Sequence, residues 1–196
     1  MEKKESAKDR ILQVASELFY YEGIRAVGID RIIAESEVAK ASFYRNFATK
    51  DDLVVAFLEQ RHGRSLARVA DAKNSHPNDP SEQLRYLFGS MAARMKQPDF
   101  RGCPFLNTVV EFPNPDHPGH IKAISCRQAL WVDVIQMARD AGAVDPDELA
   151  AQLEVLYNGA VMMAYVHKTF YNPDHFYKAV LLLIKDQVPD FEIIKS

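Results

Sequence analysis

Gly23-Ile-Arg-Ala-Val-Gly-Ile-Asp-Arg-Ile-Ile-Ala-Glu-Ser-Glu-Val-Ala-Lys-Ala-Ser-Phe-Tyr-Arg-Asn-Phe-Ala-Thr-Lys-Asp-Asp-Leu53 reads as two short helices around a tight turn, followed by the start of a third. Ile29, Ile32 and Ile33 supply the buried face of the first, which stops near Ser36, and Val38 follows as a buried turn residue. Phe43, Tyr44 and Phe47 mark the inner side of the second. What remains is an exposed polar helix, Lys40 to Asn46, on a small apolar scaffold. An α-helix of that kind fits the major groove of duplex DNA and can reach base edges there.

Upstream, Ile11, Val14, Ala15, Leu18 and Phe19 recur at helical spacing, Ser6 followed by Asp9 resembles a helix start, and Gly23 marks the end. A three-helix unit of only about 45 residues is marginal alone, because so small a body buries too little surface. It needs a larger partner from the same chain. Asp51 and Asp52 suit the first turn of the next helix through the helix dipole, with Leu53, Val54, Phe57 and Leu58 on one face and an end near Ala72. Residues 74–80 form a loop by composition, and Ser81 opens a helix carrying Leu84, Leu87, Phe88, Met91 and Met95 that Pro98 terminates.

Residues 101–112 are apolar enough for a strand but have no strand to pair with, so a short buried helix is expected. Pro113, Pro115 and Pro118 then impose an irregular loop. Helical periodicity returns from Gly119 to Ala141, from Asp147 to Lys168 and around Ala179–Ile184. The expected fold is all-α, with a helix-turn-helix head in residues 1–52, its motif at about 28–47, and a helical body in residues 53–196. The segment Ala179–Ile184 is apolar on every side and requires cover all round. A homodimer is expected, its four-helix interface built from Leu149, Leu153, Leu156, Ala160, Met163, His167, Val180 and Leu183.

Composition narrows the function classes. The net charge is -3, yet residues 1–64 hold 11 Lys+Arg and 11 Asp+Glu, so any basic surface on the head must be local. Two cysteines, Cys103 and Cys126, are too few for a disulfide framework and lack metal-ligand spacing, which suits a reducing cytosol. No apolar run approaches the roughly 18 residues that span a bilayer, and the charged N-terminus lacks a signal-peptide core. A soluble, cytoplasmic protein is expected, with no membrane partner.

The run from Ile11 to Leu58, through Ala15, Phe19, Gly23, Ile32, Val38, Tyr44, Phe47, Lys50 and Leu53, resembles the DNA-binding head of the tetracycline-repressor (TetR/AcrR) family of bacterial regulators. Four positions depart from the family pattern: Gly28, Ile33, Glu37 and Ala39 stand where Ser or Thr, Ala, Gly, and Ser or Thr are usual. A residue other than Gly at a turn of positive φ costs on the order of 1 kcal/mol, and a missing cap about the same. Neither loss abolishes the fold. In the body, Gly102-Cys-Pro-Phe-Leu-Asn107 followed by Glu111-Phe-Pro is similar to a subset of the family.

The resemblance implies double-stranded DNA as partner and Lys40, Ala41, Ser42, Tyr44, Arg45 and Lys50 as its contacts. Lys40 can donate to guanine and Ala41 can pack on a thymine methyl, whereas Ser42 discriminates weakly. Tyr44 and Lys50 suit backbone phosphates, and Arg45 suits phosphate or guanine. Arg25 and Arg31 are further candidates, and Lys3, Lys4, Lys8 and Arg10 could form a phosphate-seeking arm. In the body the resemblance implies an apolar effector pocket, for which Met91, Phe105, Trp131 and Tyr157 are the expected lining.

No phosphate-gripping glycine loop or nucleophile elbow occurs, so no enzyme, cofactor or metal is expected, and His117 and His120 read as polar surface of a Pro-rich loop. The expected function is a ligand-responsive transcriptional regulator, a repressor released from a palindromic operator by a small apolar effector. Two alternatives stand beside it: the same head regulated by a protein partner, and a helical small-molecule enzyme or carrier.

Overall fold

The computed structural model describes residues 5–193 and contains nine α-helices and no strand among them. In chain order these are α1 (Ala7–Glu22), α2 (Ile29–Ser36), α3 (Lys40–Asn46), α4 (Lys50–Ser75), α5 (Pro80–Met95), α6 (Pro104–Glu111), α7 (Pro118–Asp140), α8 (Pro146–Val166) and α9 (Asp174–Gln187). The chain divides into two compact units, Met1–Gly63 with Cys103–Arg127, and Arg64–Gly102 with Gln128–Ser196.

This division differs from the expected boundary at 52/53. Helix α4 is continuous from Lys50, so its first turns belong to the head, where Leu53, Val54, Phe57 and Leu58 are buried. The segment carrying α6 and the start of α7 joins the same unit, a long-range association that local periodicity does not reveal. Within residues 101–112 the expected short helix forms over Pro104–Glu111, but only one side of it is buried: Phe105 and Thr108 face inward while Val110 is 80% exposed.

In the first unit, α1 opens with a reciprocal capping box between Ser6 and Asp9 and closes at Gly23, whose φ of 93° only glycine adopts readily. Its buried side, Ile11, Ala15, Leu18 and Phe19, packs against α2 and α3. Phe19 meets Phe57 of α4 edge-on at 5.7 Å between ring centroids. Gly28 caps α2, and Glu37 takes the left-handed conformation at φ 53° in the turn before α3. Ala39 occupies the N-cap of α3 with no side-chain acceptor for its first amides. Tyr44, expected on the inner side of α3, is instead 44% exposed, because the adjacent Phe43 takes the inward position and is fully buried.

In the second unit, Asp79 and Asp145 cap α5 and α8, each followed by Pro at the first helical position. Helix α9 packs along α8 and α5. Leu84, Leu87, Phe88, Val134, Met137, Leu149, Leu153, Val180 and Ile184 form the interior of this unit.

The uncapped start of α3 is a correctable weakness. Ala39→Ser supplies an acceptor and is expected to stabilise the protein by about 1 kcal/mol, raising Tm by about 2–4 °C for a chain of this size. Scanning calorimetry checks it; an unchanged or lower Tm would show that the free amides already have partners.

Candidate nucleic-acid interface

Helix α3 has seven residues, and one of them anchors it. Phe43 has no exposed surface, and Phe47, just past the helix end, is also buried. With the inner side committed, Lys40, Ala41, Tyr44 and Arg45 are exposed and Ser42 and Asn46 are half-buried. Tyr44 rests edge-on against Phe43 at 5.3 Å, which holds its ring while leaving it accessible. Asn46 Nδ2 donates to the Ser42 carbonyl at 2.8 Å and tightens the last turn.

The cations of the head differ in how free they are. Arg45 makes no ion pair among the described residues. Lys40 Nζ lies 3.2 Å from Asp30 Oδ1, and that hydrogen bond raises its pKa. Both side chains are well exposed, so solvent screens the pair and it can exchange for another anion. Arg31 is held by Glu22 and Glu35, at 2.5 and 2.6 Å, and is committed to joining α1 to α2. Arg25 donates through Nη1 to the Glu111 carbonyl at 3.4 Å.

Lys50 begins α4. The Thr49 hydroxyl accepts from the Asp52 amide at 3.1 Å and Asp52 accepts from the Thr49 amide at 2.9 Å, a capping box that sets where the helix starts. Lys50 Nζ sits 5.9 Å from the Phe19 ring centroid, and burial pushes its pKa down while Glu111 and Asp51 pull it back up. A phosphate would supply the counter-charge that favours the ammonium. Of the expected N-terminal arm, Lys8 lies 6.0 Å from the Phe47 ring and Arg10 reaches the Glu37 carbonyl at 3.4 Å. Lys3 and Lys4 lie outside the described residues.

Two contributors escaped the sequence reading. The Thr49 to Asp52 box carries a Thr-x-x-Asp signal that was available in the sequence. Glu111 is the other: Oε1 accepts from the Ile24 amide at 3.1 Å and Oε2 from the Arg25 amide at 2.7 Å, holding the loop between α1 and α2. Nothing local in the sequence marks that pairing.

The residues expected to line an effector pocket fall in both units: Phe105 in the first, and Met91, Trp131 and Tyr157 in the second. Trp131 lies 6.4 Å from Phe88 and 6.1 Å from Tyr157, and Phe176 lies 6.3 Å from both Phe88 and Tyr157. Trp131 Nε1 is buried with no hydrogen-bond partner among the described residues. A separate groove of about 430 Å³ in this unit is lined by Met95, Phe100, Ala164, Lys168, Tyr171 and Pro173. It contains none of the expected lining residues.

The expected dimer contacts also separate. Leu149, Leu153 and Val180 are fully buried within the single chain and Ala160 nearly so, which leaves them almost no surface for a partner. Leu156 and Leu183 are half-buried, and Met163 and His167 are exposed. The open apolar stripe of α8 lies one residue earlier, on Val155, Met162 and Val166 at 72%, 58% and 57% exposure, with Leu182 of α9 also exposed. Both sides of α8 are apolar, and the intrachain core took the one that the spacing favoured. His117 stacks on Phe112 at 4.0 Å and lies 3.5 Å from Asp51. Among the described residues no group of three or more His, Cys, Asp or Glu could hold a metal, and no helix is long and apolar enough to cross a membrane.

Residues 11–57 match the family described as bacterial regulatory proteins, tetR family. Residues 80–180 match the tetracyclin repressor-like C-terminal domain. The chain is similar to SCO4454, a TetR-family transcriptional regulator from Streptomyces coelicolor, at 35% identity, covering 92% of this chain and 93% of that one with a TM-score of 0.82. A second similar structure is a TetR transcriptional regulator (sav143) from Streptomyces avermitilis, at 29% identity over 93% of this chain and 100% of that one, TM-score 0.76. The HTH-type transcriptional repressor KstR2 of Mycobacterium tuberculosis is 22% identical over 169 residues, 86% of this chain and 82% of KstR2.

Proposed function

This chain belongs to the TetR family of bacterial transcriptional regulators, and on that premise we propose that it represses transcription as a homodimer on a palindromic operator, which a small apolar effector releases. The observation that carries the DNA reading is α3, whose buried Phe43 turns Lys40, Ala41, Tyr44 and Arg45 outward together. Lys40 and Arg45 read guanine or bind phosphate, Ala41 meets a thymine methyl, Ser42 adds a weak hydroxyl contact, and Tyr44 and Lys50 hold the backbone. In a two-fold dimer the paired recognition helices stand about 34–36 Å apart, one turn of B-DNA.

For the homodimer the supporting observation is the exposed stripe Val155, Met162, Val166 and Leu182, extended by Met163 and His167. Contiguous apolar surface of this kind marks a protein contact. For the effector, support comes from the aromatic cluster of Phe88, Trp131, Tyr157 and Phe176 and from the buried indole N–H that has no acceptor among the described residues. An effector acts as a switch only if it binds the DNA-competent and released states unequally, with coupling of about 1–3 kcal/mol. Linkage then requires DNA to weaken effector binding by the same factor. Catalysis has no part in this reading.

Lys50→Ala should weaken binding to all duplexes and reduce the slope of log affinity against log salt by about one unit. An unchanged slope removes Lys50 from the phosphate contacts. Arg45→Ala should relax preference at one operator position by about 1–3 kcal/mol, measured by competition among single-base variants; a uniform loss reassigns it to the backbone. Met162→Asp with Val166→Asp should lower the mass seen by light scattering from twice 22.2 kDa to a single chain. A dimer that survives both changes would move the interface elsewhere.

A further inference from the structure

Apart from Phe105, expected in the effector lining, the motif Gly102-Cys-Pro-Phe-Leu-Asn107 with Glu111-Phe-Pro is not explained by DNA contact or by effector lining. In the structure it builds α6 and sets its last residue against the head. Cys103 precedes the helix, Pro104 is its first residue, Phe105 and Thr108 are its buried anchors, and Glu111 ends it. The Thr108 hydroxyl donates to the Pro104 carbonyl at 2.8 Å, so it is satisfied inside its own helix.

From that last turn the Glu111 carboxylate reaches the loop joining α1 to α2. It accepts the Ile24 amide at 3.1 Å on one oxygen and the Arg25 amide at 2.7 Å on the other, while Arg25 Nη1 returns to the Glu111 carbonyl at 3.4 Å. Gly23 shapes the chain just before these amides: its φ is +93°, a conformation that residues with a Cβ rarely adopt. Ionised carboxylates on backbone amides form strong hydrogen bonds, and two parallel ones fix orientation as well as distance. These two amides follow the C-cap of α1 and lie outside any helix, so Glu111 is their acceptor.

We propose that Glu111 is a positioning residue for DNA recognition, a two-pronged clamp through which the placement of α6 sets the placement of the α1–α2 loop and hence of the reading helix. This rests on the DNA-binding reading above. Packing supports the last link: α1 contacts both α2 and α3, so a loop held at Ile24 and Arg25 constrains the whole head. Glu111 touches no DNA in this scheme. It acts through backbone, and a displacement of α6 is transmitted because the clamp cannot follow one oxygen without moving the other.

Two measurements test it. In the free protein, Glu111→Gln replaces one acceptor by a donor that faces an amide N–H. Amide hydrogen exchange at Ile24 and Arg25 should then speed at least tenfold, with core amides of α1 and α4 unchanged; equal rates at the loop would overturn the clamp. For transmission, a double-mutant cycle uses Phe105→Leu to loosen the seat of α6, with a duplex that the wild-type protein selects from a random pool. Phe105→Leu should weaken binding at least fivefold in the wild-type background and less than twofold beside Glu111→Gln. The charge change is common to both arms of the comparison and cancels. Equal losses in both backgrounds, or no loss in the wild type, would overturn the coupling; thermal melting of each variant confirms that it is folded. A wild-type protein that selects no duplex would instead defeat the DNA reading and the coupling with it, while the exchange result would still decide the clamp.

Discussion

The burial of Phe43 is the constraint on which this molecule turns. A seven-residue helix is about 10 Å long, too short to hold together in water on its own propensity, since helix nucleation is unfavourable and propagation over two turns cannot offset it. Tertiary packing must supply the stability of α3. It does so through one fully covered ring, with Phe47 and Val38 buried at either end. Because that anchoring commits a single side of the helix, the opposite side is turned to solvent, and it carries Lys40, Ala41, Tyr44 and Arg45. The outward polar face of α3 is thus a consequence of the core beneath it.

The rest of the first unit keeps that short helix in place. Phe19 and Phe57 join α1 to α4, Arg31 ties α1 to α2 through Glu22, and Glu111 fastens the intervening loop to α6. The head carries two local imperfections, the left-handed Glu37 and the uncapped Ala39. Each costs about 1 kcal/mol. Both lie next to α3, and neither displaces Phe43 from the core. The surrounding contacts are sufficient to hold them.

Much of this was legible in the sequence because it is local. The 3.6-residue recurrence of Ile11, Ala15, Leu18 and Phe19 specifies α1, Ser6 with Asp9 specifies its start, and the departures at Glu37 and Ala39 translate directly into the observed backbone and missing cap. Aromatic character alone puts Tyr44 on the inner side and does not say which of two adjacent rings turns inward; on so short a helix there is room for one, and Tyr44 takes the exposed place that the resemblance implies. In the body, the spacing of Leu149, Leu153, Ala160 and Val180 correctly marks an apolar face, but it cannot distinguish a face covered by the same chain from one offered to a second. The clamp of Glu111 on Ile24 spans 87 residues and joins a side chain to a backbone amide, so neither periodicity nor charge pairing announces it.

Binding of purified protein to a self-selected duplex, set against a scrambled duplex of equal length and composition at physiological salt, tests the central claim most directly. A solvent-facing α3 that reads base edges should favour the selected duplex by roughly a thousandfold or more. Equal affinity for the two duplexes, or no binding to either as the salt is lowered, would contradict it.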